Sequence, residues 1–246
     1  AMISDVLTSM RSATRNRKVL ELATPILLAV LAINGFNLID LAFVGHLGKV
    51  EIASLGLSAY TNSIALALLV GLATGVQALS ARQSAQMDET GVSNVFAAGI
   101  LLAVISGAGV AAILTIAAKP LFQMLTSDAA VAEAGSSYLL IRLIAIPAMA
   151  VNVAFRGYWN GVSRPGIYLL VLLMLYGLNI VLDWLLIFGN LGLPAFGLDG
   201  AALAFVIAAY SGVGFYLIAT AVVTPGVISL FRLPPTEIFG AVTRIS

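Results

Sequence analysis

The sequence predicts an all-α, polytopic membrane protein folded as a bundle of six transmembrane helices. Its 246 residues are 61% hydrophobic and only 9% charged, with a mean hydropathy of +1.06. Soluble domains have about 25% charged residues, so this composition is typical of a chain embedded in a bilayer. Uncharged apolar runs recur along the chain, each long enough for the roughly 20 residues that one crossing needs. Short segments rich in Gly, Pro and charged residues separate them.

The composition also excludes several classes of function. The net charge is +1 and the basic residues are scattered, which gives no basis for binding nucleic acid. There is no cysteine and only one histidine, His46, so thiolate and multi-histidine metal sites are excluded. Neither a phosphate-binding loop nor an H-E-x-x-H pair is present. We therefore expect no enzyme activity, no cofactor and no resident metal.

The chain divides into a basic tail at residues 1–20, expected to be cytoplasmic, and a six-helix bundle at residues 21–226. The predicted spans are Leu22–Gly45, one within Ile52–Ala81, one within Val92–Ala118, about Gly135–Tyr158, Gly166–Gly189 and about Ala201–Val223.

The distribution of positive charge predicts the orientation. With both termini inside, nine basic residues are cytoplasmic and three are external, as the positive-inside rule requires. The count takes 156–164 as a cytoplasmic loop. The nine are Arg11, Arg15, Arg17, Lys18, Arg82, Arg156, Arg164, Arg232 and Arg244, and the three are Lys49, Lys119 and Arg142.

The first span contains a carboxylate, Asp40, inside an otherwise uncharged segment. An ionised carboxylate in hydrocarbon costs several kcal/mol, so Asp40 should face a cavity, a partner or a proton. Asn37 lies on nearly the same helical face, and Asn34 less closely. Pro25, near the start of this span, is either a hinge or a proline tolerated at a helix start.

The fifth span repeats this pattern, with Asn179 and Asp183 four residues apart. Asp40 and Asp183 both lie about 8–9 Å before the ends of their helices, at about 1.5 Å per residue. Two carboxylates at matched depth predict a cation site that shares a proton, binds sodium or neutralises a cationic substrate. The alternative is a structural pair, each satisfied by a backbone group or by Arg142.

The fourth span is the least apolar and contains Tyr138, Arg142 and Asn152. Tyr138 and Arg142 are four residues apart and share a helical face. Arg142 is expected to extend toward the outer surface, and its alternative role is a buried partner for a carboxylate.

In their order, these features resemble the N-terminal half of a multidrug and toxic compound extrusion (MATE) transporter, closest to the DinF-like branch. The resemblance covers about residues 18–235. Its motifs are P-x8-N-x2-N-x2-D from Pro25 to Asp40, F-V-G-x-L-G at Phe43–Gly48, F-R-G-Y-W-N-G-V-S-R-P at 155–165, N-x3-D-W-L-L-I-F-G at Asn179–Gly189 and G-L-D-G-A-A-L-A at Gly197–Ala204.

The resemblance implies the N-lobe of a twelve-helix, cation-coupled exporter of lipophilic, often cationic drugs in the bacterial inner membrane. It implies that residues 227–246 begin the cytoplasmic linker to a second six-helix lobe, either a missing C-terminal half or another chain. Ala201 and Ala202 take the place of a threonine of archaeal relatives, which favours protons over sodium. The implied coupling residues are Asp40, Asp183, Asn179 and Tyr138, and the alternative is that the first three bind sodium. The substrate cavity would also include Asn34, Asn37, Asn152 and Arg142. Pro25 would be the hinge.

Two other functions remain open at this stage. One is half of a lipid or polysaccharide flippase, a group whose cavities tend to be lined by cationic residues. The other is a non-transporting membrane scaffold that pairs with another helix bundle.

Overall fold

Helices account for all the regular secondary structure in the part of the chain that is described. The computed structural model describes the backbone of residues 2–229 and 242–243, and the side chains from residue 19 onward except those of 66, 68, 228 and 229. The all-α prediction is confirmed. The helices are α1 (Met2–Gly45), α2 (Lys49–Ala85), α3 (Glu89–Leu125), α4 (Ala129–Leu143), α5 (Ile146–Gly161), α6 (Pro165–Phe188), α7 (Gly197–Val223) and α8 (Pro225–Ser229), with a 3₁₀ turn at Asn190–Gly192.

The helices account for the six predicted crossings. Four of them are long and apolar enough to span a bilayer: Val19–Gly45 of α1, and α3, α6 and α7. Two bent pairs supply the others if each pair crosses as one span. The halves of α2, Lys49–Ala65 and Leu69–Ala85, diverge by 40°, and α4 and α5 diverge by 52°.

The fourth span is therefore broken, whereas the sequence predicts one segment from Gly135 to Tyr158. Pro147 lies at the start of α5 and has no backbone N–H, so it cannot continue the hydrogen-bond ladder of α4. Tyr210 of α7 donates a hydrogen bond from its hydroxyl to the Ile144 carbonyl at the break, at 3.1 Å. The break changes which side chains of α4 and α5 face the same region.

The two ends of the chain are only partly described. Helix α1 begins at Met2 and runs through Pro25 without interruption, so the backbone of the predicted tail is continuous with the first span. The side chains of the basic residues at positions 11–18 lie outside the described part. So does most of the predicted linker at 227–246, including Arg232 and Arg244.

Small residues let α2 and α5 pack closely. A Cβ at Gly157 would lie 2.4 Å from the Ala73 carbonyl oxygen, and one at Gly161 would lie 2.7 Å from that of Gln77. No side chain fits at such distances, so the glycines set the separation of these helices. Ala73 at this contact is itself a small residue and is 3% exposed.

An aromatic core fills the half of the bundle nearest the turns after α2, α5 and α7, here called the second end. Phe155 stacks on Tyr216 at 4.8 Å, and Phe96 contacts Tyr158 at 4.7 Å. A smaller cluster that includes Val44 and Tyr138 lies toward the opposite, first end, where α1, α3 and α6 terminate. The polar side chains of the spans lie between and beside these two cores.

Candidate functional site

A cavity of about 380 Å³ opens beside α1, α2 and α6 in the half of the bundle toward the first end. We call it the carboxylate cavity. Besides apolar and small side chains, it is lined by Asn37, Asp40, Asn62, Arg142, Tyr176 and Phe205.

Asp40 lies on the wall of the carboxylate cavity and is partly buried. Helix α1 packs mainly on α6, which brings Asp40 to the side of the bundle where Asp183 lies. The charge of Arg142 acts on Asp40. The charge of Asp40 in turn acts on Asp183. The structure thus brings together the two carboxylates that the sequence pairs by depth.

Asp183 and Asn179 are buried inside the bundle rather than on the cavity wall, with exposures of 1% and 6%. They lie one turn apart on α6, and the Asn179 side chain contacts the Asp183 carboxyl group. The second oxygen, Oδ1 of Asp183, has no hydrogen-bond partner among the described residues. A buried carboxyl oxygen without a partner is costly when the group is ionised.

Arg142 points into the protein, which corrects the expectation that it extends to the outer surface. It donates a hydrogen bond from Nη1 to the hydroxyl of Tyr138, one turn earlier on α4. Its guanidinium carbon lies 4.0 Å from the centroid of the Phe205 ring of α7, a cation–π geometry. Tyr138 and Phe205 thus hold this cation inside the bundle, where its charge acts on Asp40.

The three predicted cavity asparagines have separate environments. Asn37 lines the carboxylate cavity, but Asn34 is exposed and donates from Nδ2 to the Val30 carbonyl of its own helix, at 2.8 Å. Asn152 does not line this cavity, and its assignment to a substrate cavity stays a prediction. It is 7% exposed and donates to the Ala209 carbonyl at 2.9 Å, because the α4–α5 break turns α5 away from the face that Tyr138 shares with Arg142.

Pro25 lies at the second end, far along α1 from Asp40. It borders a groove with Glu21, Arg164 and Pro165. The helix continues through it, and its role as a hinge stays a prediction.

Among the residues of the cavity wall that sequence reasoning missed are Tyr176, Phe205 and Asn62. Tyr176 could have been found, because it lies three residues before Asn179 and seven before Asp183 on the same face of α6. Phe205 carries no such signal, whereas Asn62 lies four residues after Ser58 on α2 and could have been found by the same spacing.

Arg156 also differs from its prediction. The sequence places it in a cytoplasmic loop, but it lies within α5, where its charge acts on Tyr168 of α6. It should therefore be removed from the count of loop charges.

In the described residues, no three or more His, Cys, Asp or Glu side chains form a group that could hold a metal ion.

Comparison with known proteins identifies the family. The MatE family profile matches residues 25–185. The chain is 27% identical over 193 residues to the probable multidrug resistance protein NorM of Neisseria meningitidis serogroup B, covering 76% of this chain and 41% of that protein. The corresponding protein of Rhizobium meliloti is 29% identical over 191 residues, which covers 78% of this chain and 41% of that protein.

Solved structures show the same fold. An outward-facing multidrug resistance MATE family transporter of the MOP superfamily superimposes with a TM-score of 0.82 at 25% identity, covering 92% of this chain and 50% of that one. A MOP superfamily transporter from Pyrococcus furiosus, described as having a binding pocket of reverse polarity, superimposes with a TM-score of 0.82 at 25% identity. This match covers 93% of this chain and 50% of that one. The chain spans about half the length of the relatives it matches. Its sequence and its fold place it in the MatE family of multi-pass membrane transporters, which are not enzymes.

Proposed function

We propose that the chain is the N-terminal lobe of a cation-coupled antiporter that exports lipophilic, often cationic drugs by alternating access. The family supports export as the activity. The fold supports the lobe assignment, because the chain covers half of each transporter it superimposes on. A second six-helix lobe, in the same polypeptide or in another chain, would form the other side of the substrate pathway.

The observation that carries this proposal is the charge balance of the carboxylate cavity. Two carboxylates, Asp40 and Asp183, interact with one cation, Arg142. When both are ionised, the group has an excess negative charge in a low-dielectric setting, where uncompensated charge is costly. The excess can be neutralised by a proton, by sodium or by a cationic substrate. Exchange among such cations is what an antiporter requires.

The proton is the favoured coupling ion and sodium the alternative. Sodium needs several oxygen ligands, and the candidates are the side-chain oxygens of Asp40, Asp183 and Asn179. Ala201 and Ala202 are 2% and 0% exposed and have no side-chain oxygen to offer where archaeal relatives carry a threonine. A proton needs only one of the two carboxylates.

We place the chain in the bacterial inner membrane with the second end and both termini in the cytoplasm. With Arg156 inside α5, the charges that favour this orientation are mainly those of the tail and the linker. Arg82 and Arg164 at the second end add to them. Among the basic residues near the first end are Lys49 and Lys119.

The test is proton release on binding of tetraphenylphosphonium to the purified chain in weakly buffered detergent solution. We expect release from wild type, with or without sodium, and none from Asp40→Asn. Glu51→Gln, which removes a carboxylate at the first end outside the cavity, should release protons as wild type does.

Each other result has a definite meaning. Release that requires the absence of sodium would make sodium a competing ion at the same site. Binding of the cation that is unaffected by both Asp40→Asn and Asp183→Asn would overturn the proposal in favour of a scaffold role.

A further inference from the structure

A second, smaller cavity lies nearer the second end, within the same lobe. We call it the Arg156 cavity. It measures about 90 Å³ and is separated from the carboxylate cavity by Ile33, Met149 and Tyr176, which line both. Its polar lining is formed by Asn152, Arg156, Tyr168, Tyr176 and Tyr216.

Among the described residues that line this cavity, Arg156 has the only formal charge. Its charge acts on Tyr168, Tyr176 and Tyr216. Phenol groups can satisfy N–H donors, but as neutral groups they do not balance the charge. No carboxylate of residues 19–227 forms an ion pair with Arg156, whereas arginines within spans are generally paired.

The side-chain amide of Asn152 is the remaining polar group of the cavity. Its position leaves Arg156 available to a ligand rather than to a partner within the protein. Asn152 is 7% exposed, with Nδ2 engaged by the Ala209 carbonyl. It rests on Gly212, where a Cβ would lie 3.1 Å from Asn152 Oδ1, so the amide has little room to turn toward Arg156. The positive charge therefore faces a cavity that has hydroxyl donors around it and no negative charge.

The volume limits the ligand. Water occupies about 30 Å³ in the liquid, so about 90 Å³ holds roughly three waters, or a halide with one or two of them. Drug-binding pockets measure about 300–1,000 Å³, so the cavity is too small to enclose a drug or a lipid headgroup. We propose that the Arg156 cavity is a binding site for a small monovalent inorganic anion of chloride size. The anion would be held by the guanidinium of Arg156 and by the hydroxyl groups of the surrounding tyrosines.

This site is independent of the proposed transport function, and its test needs no transport. The purified chain is unfolded thermally in sodium chloride and in sodium gluconate of equal ionic strength, because gluconate is too large for the cavity. A ligand that binds only the folded chain raises Tm progressively with the logarithm of its concentration above Kd. Each kcal/mol of this stabilisation raises Tm by about 2–4 °C. We expect chloride and bromide to give this rise and gluconate none.

Three variants assign the effect. Arg156→Gln should lose the chloride dependence, and Arg156→Lys should keep a weaker one because it retains the charge. Arg82→Gln removes an exposed arginine at the same end and should behave as wild type. If Arg156→Gln does not fold, Leu172→Phe fills the cavity and leaves the arginine in place, and it should also lose the dependence.

Crystals grown in bromide provide a direct readout through anomalous scattering. A peak between Arg156 and Tyr168 would support the site. A peak at Arg142 alone, no chloride-specific rise of Tm in wild type, or a rise that persists in both Arg156→Gln and Leu172→Phe would overturn the proposal.

Discussion

The two helices that carry the carboxylates, α1 and α6, have similar sequence patterns and different environments. Each has an Asn within one turn before an Asp, and both Asp residues lie at similar depth. Yet only 6% of the residues in the most apolar window of α1 are buried, against 33% in α6. Asp40 lies on a cavity wall, whereas Asp183 is 1% exposed.

This difference suggests a division of work between the two groups. A carboxylate on an open wall can meet a large cation directly. A buried carboxylate can exchange a proton or a small ion but cannot contact a drug. We therefore expect Asp40 to act on both substrate and ion, and Asp183 to act mainly on the ion and on the charge state of Asp40.

The largest difference should appear in chemical accessibility. The chain has no cysteine, so Asp40→Cys and Asp183→Cys each introduce a single thiol. A charged methanethiosulfonate reagent should label Cys at position 40 about 30-fold faster or more, because labelling at 183 needs local opening that costs about 2 kcal/mol. Tyr60→Cys, at a position 78% exposed, gives the reference rate. Equal rates at 40 and 183 would show that the two environments do not differ.

The affinity for a cationic substrate should also differ between variants at positions 40 and 183, by a smaller factor than the labelling rates do. Asp40→Asn should weaken binding of tetraphenylphosphonium about tenfold, since losing one nearby charge at intermediate dielectric costs about 1.4 kcal/mol. Asp183→Asn should weaken it by no more than about threefold, through the field alone. Equilibrium dialysis with the labelled cation measures both. An equal or larger loss in Asp183→Asn would contradict the division of work.

The hydrogen bond between Arg142 and Tyr138 should contribute to the stability of the folded chain. Tyr138→Phe removes the hydroxyl that accepts from Arg142, and an unpaired buried donor costs about 1–3 kcal/mol. We expect Tm in detergent to fall by a few degrees. Tyr60→Phe, at an exposed position, should leave Tm unchanged. A Tm unaffected by Tyr138→Phe would mean that Arg142 has another acceptor.

The smallest effect should come from the asparagines of α1. Asn37→Ala should weaken tetraphenylphosphonium binding about two- to fivefold, because Asn37 lines the cavity. Asn34→Ala should not change it, since Asn34 is bonded to its own helix. The reverse order would place the substrate on the exposed face of α1.

Much of this could be predicted from the sequence. Apolar length and charge gave the all-α membrane fold, and helical spacing placed Tyr138 beside Arg142 and Asn179 beside Asp183. These are local relations within a helix, which the 3.6-residue period determines.

What the sequence could not predict depends on contacts between helices. The direction of Arg142 is set by Phe205 on α7, and the position of Asn152 is set by a break that Pro147 and Tyr210 define. Hydropathy does not distinguish a buried arginine from one that extends to the surface. The location of Arg156 within α5 was missed for a similar reason, because a short loop and the last turns of a helix look alike in sequence.

The wall between the two cavities has a consequence for leakage. Tyr176 in that wall stacks on Phe36 with ring centroids 5.0 Å apart. A cation that moved from the carboxylate cavity toward the second end would have to separate these rings and then approach Arg156. Each 1.4 kcal/mol of that combined barrier slows such passage tenfold. In this conformation the wall therefore closes the direct path through the bundle from the carboxylate cavity to the second end.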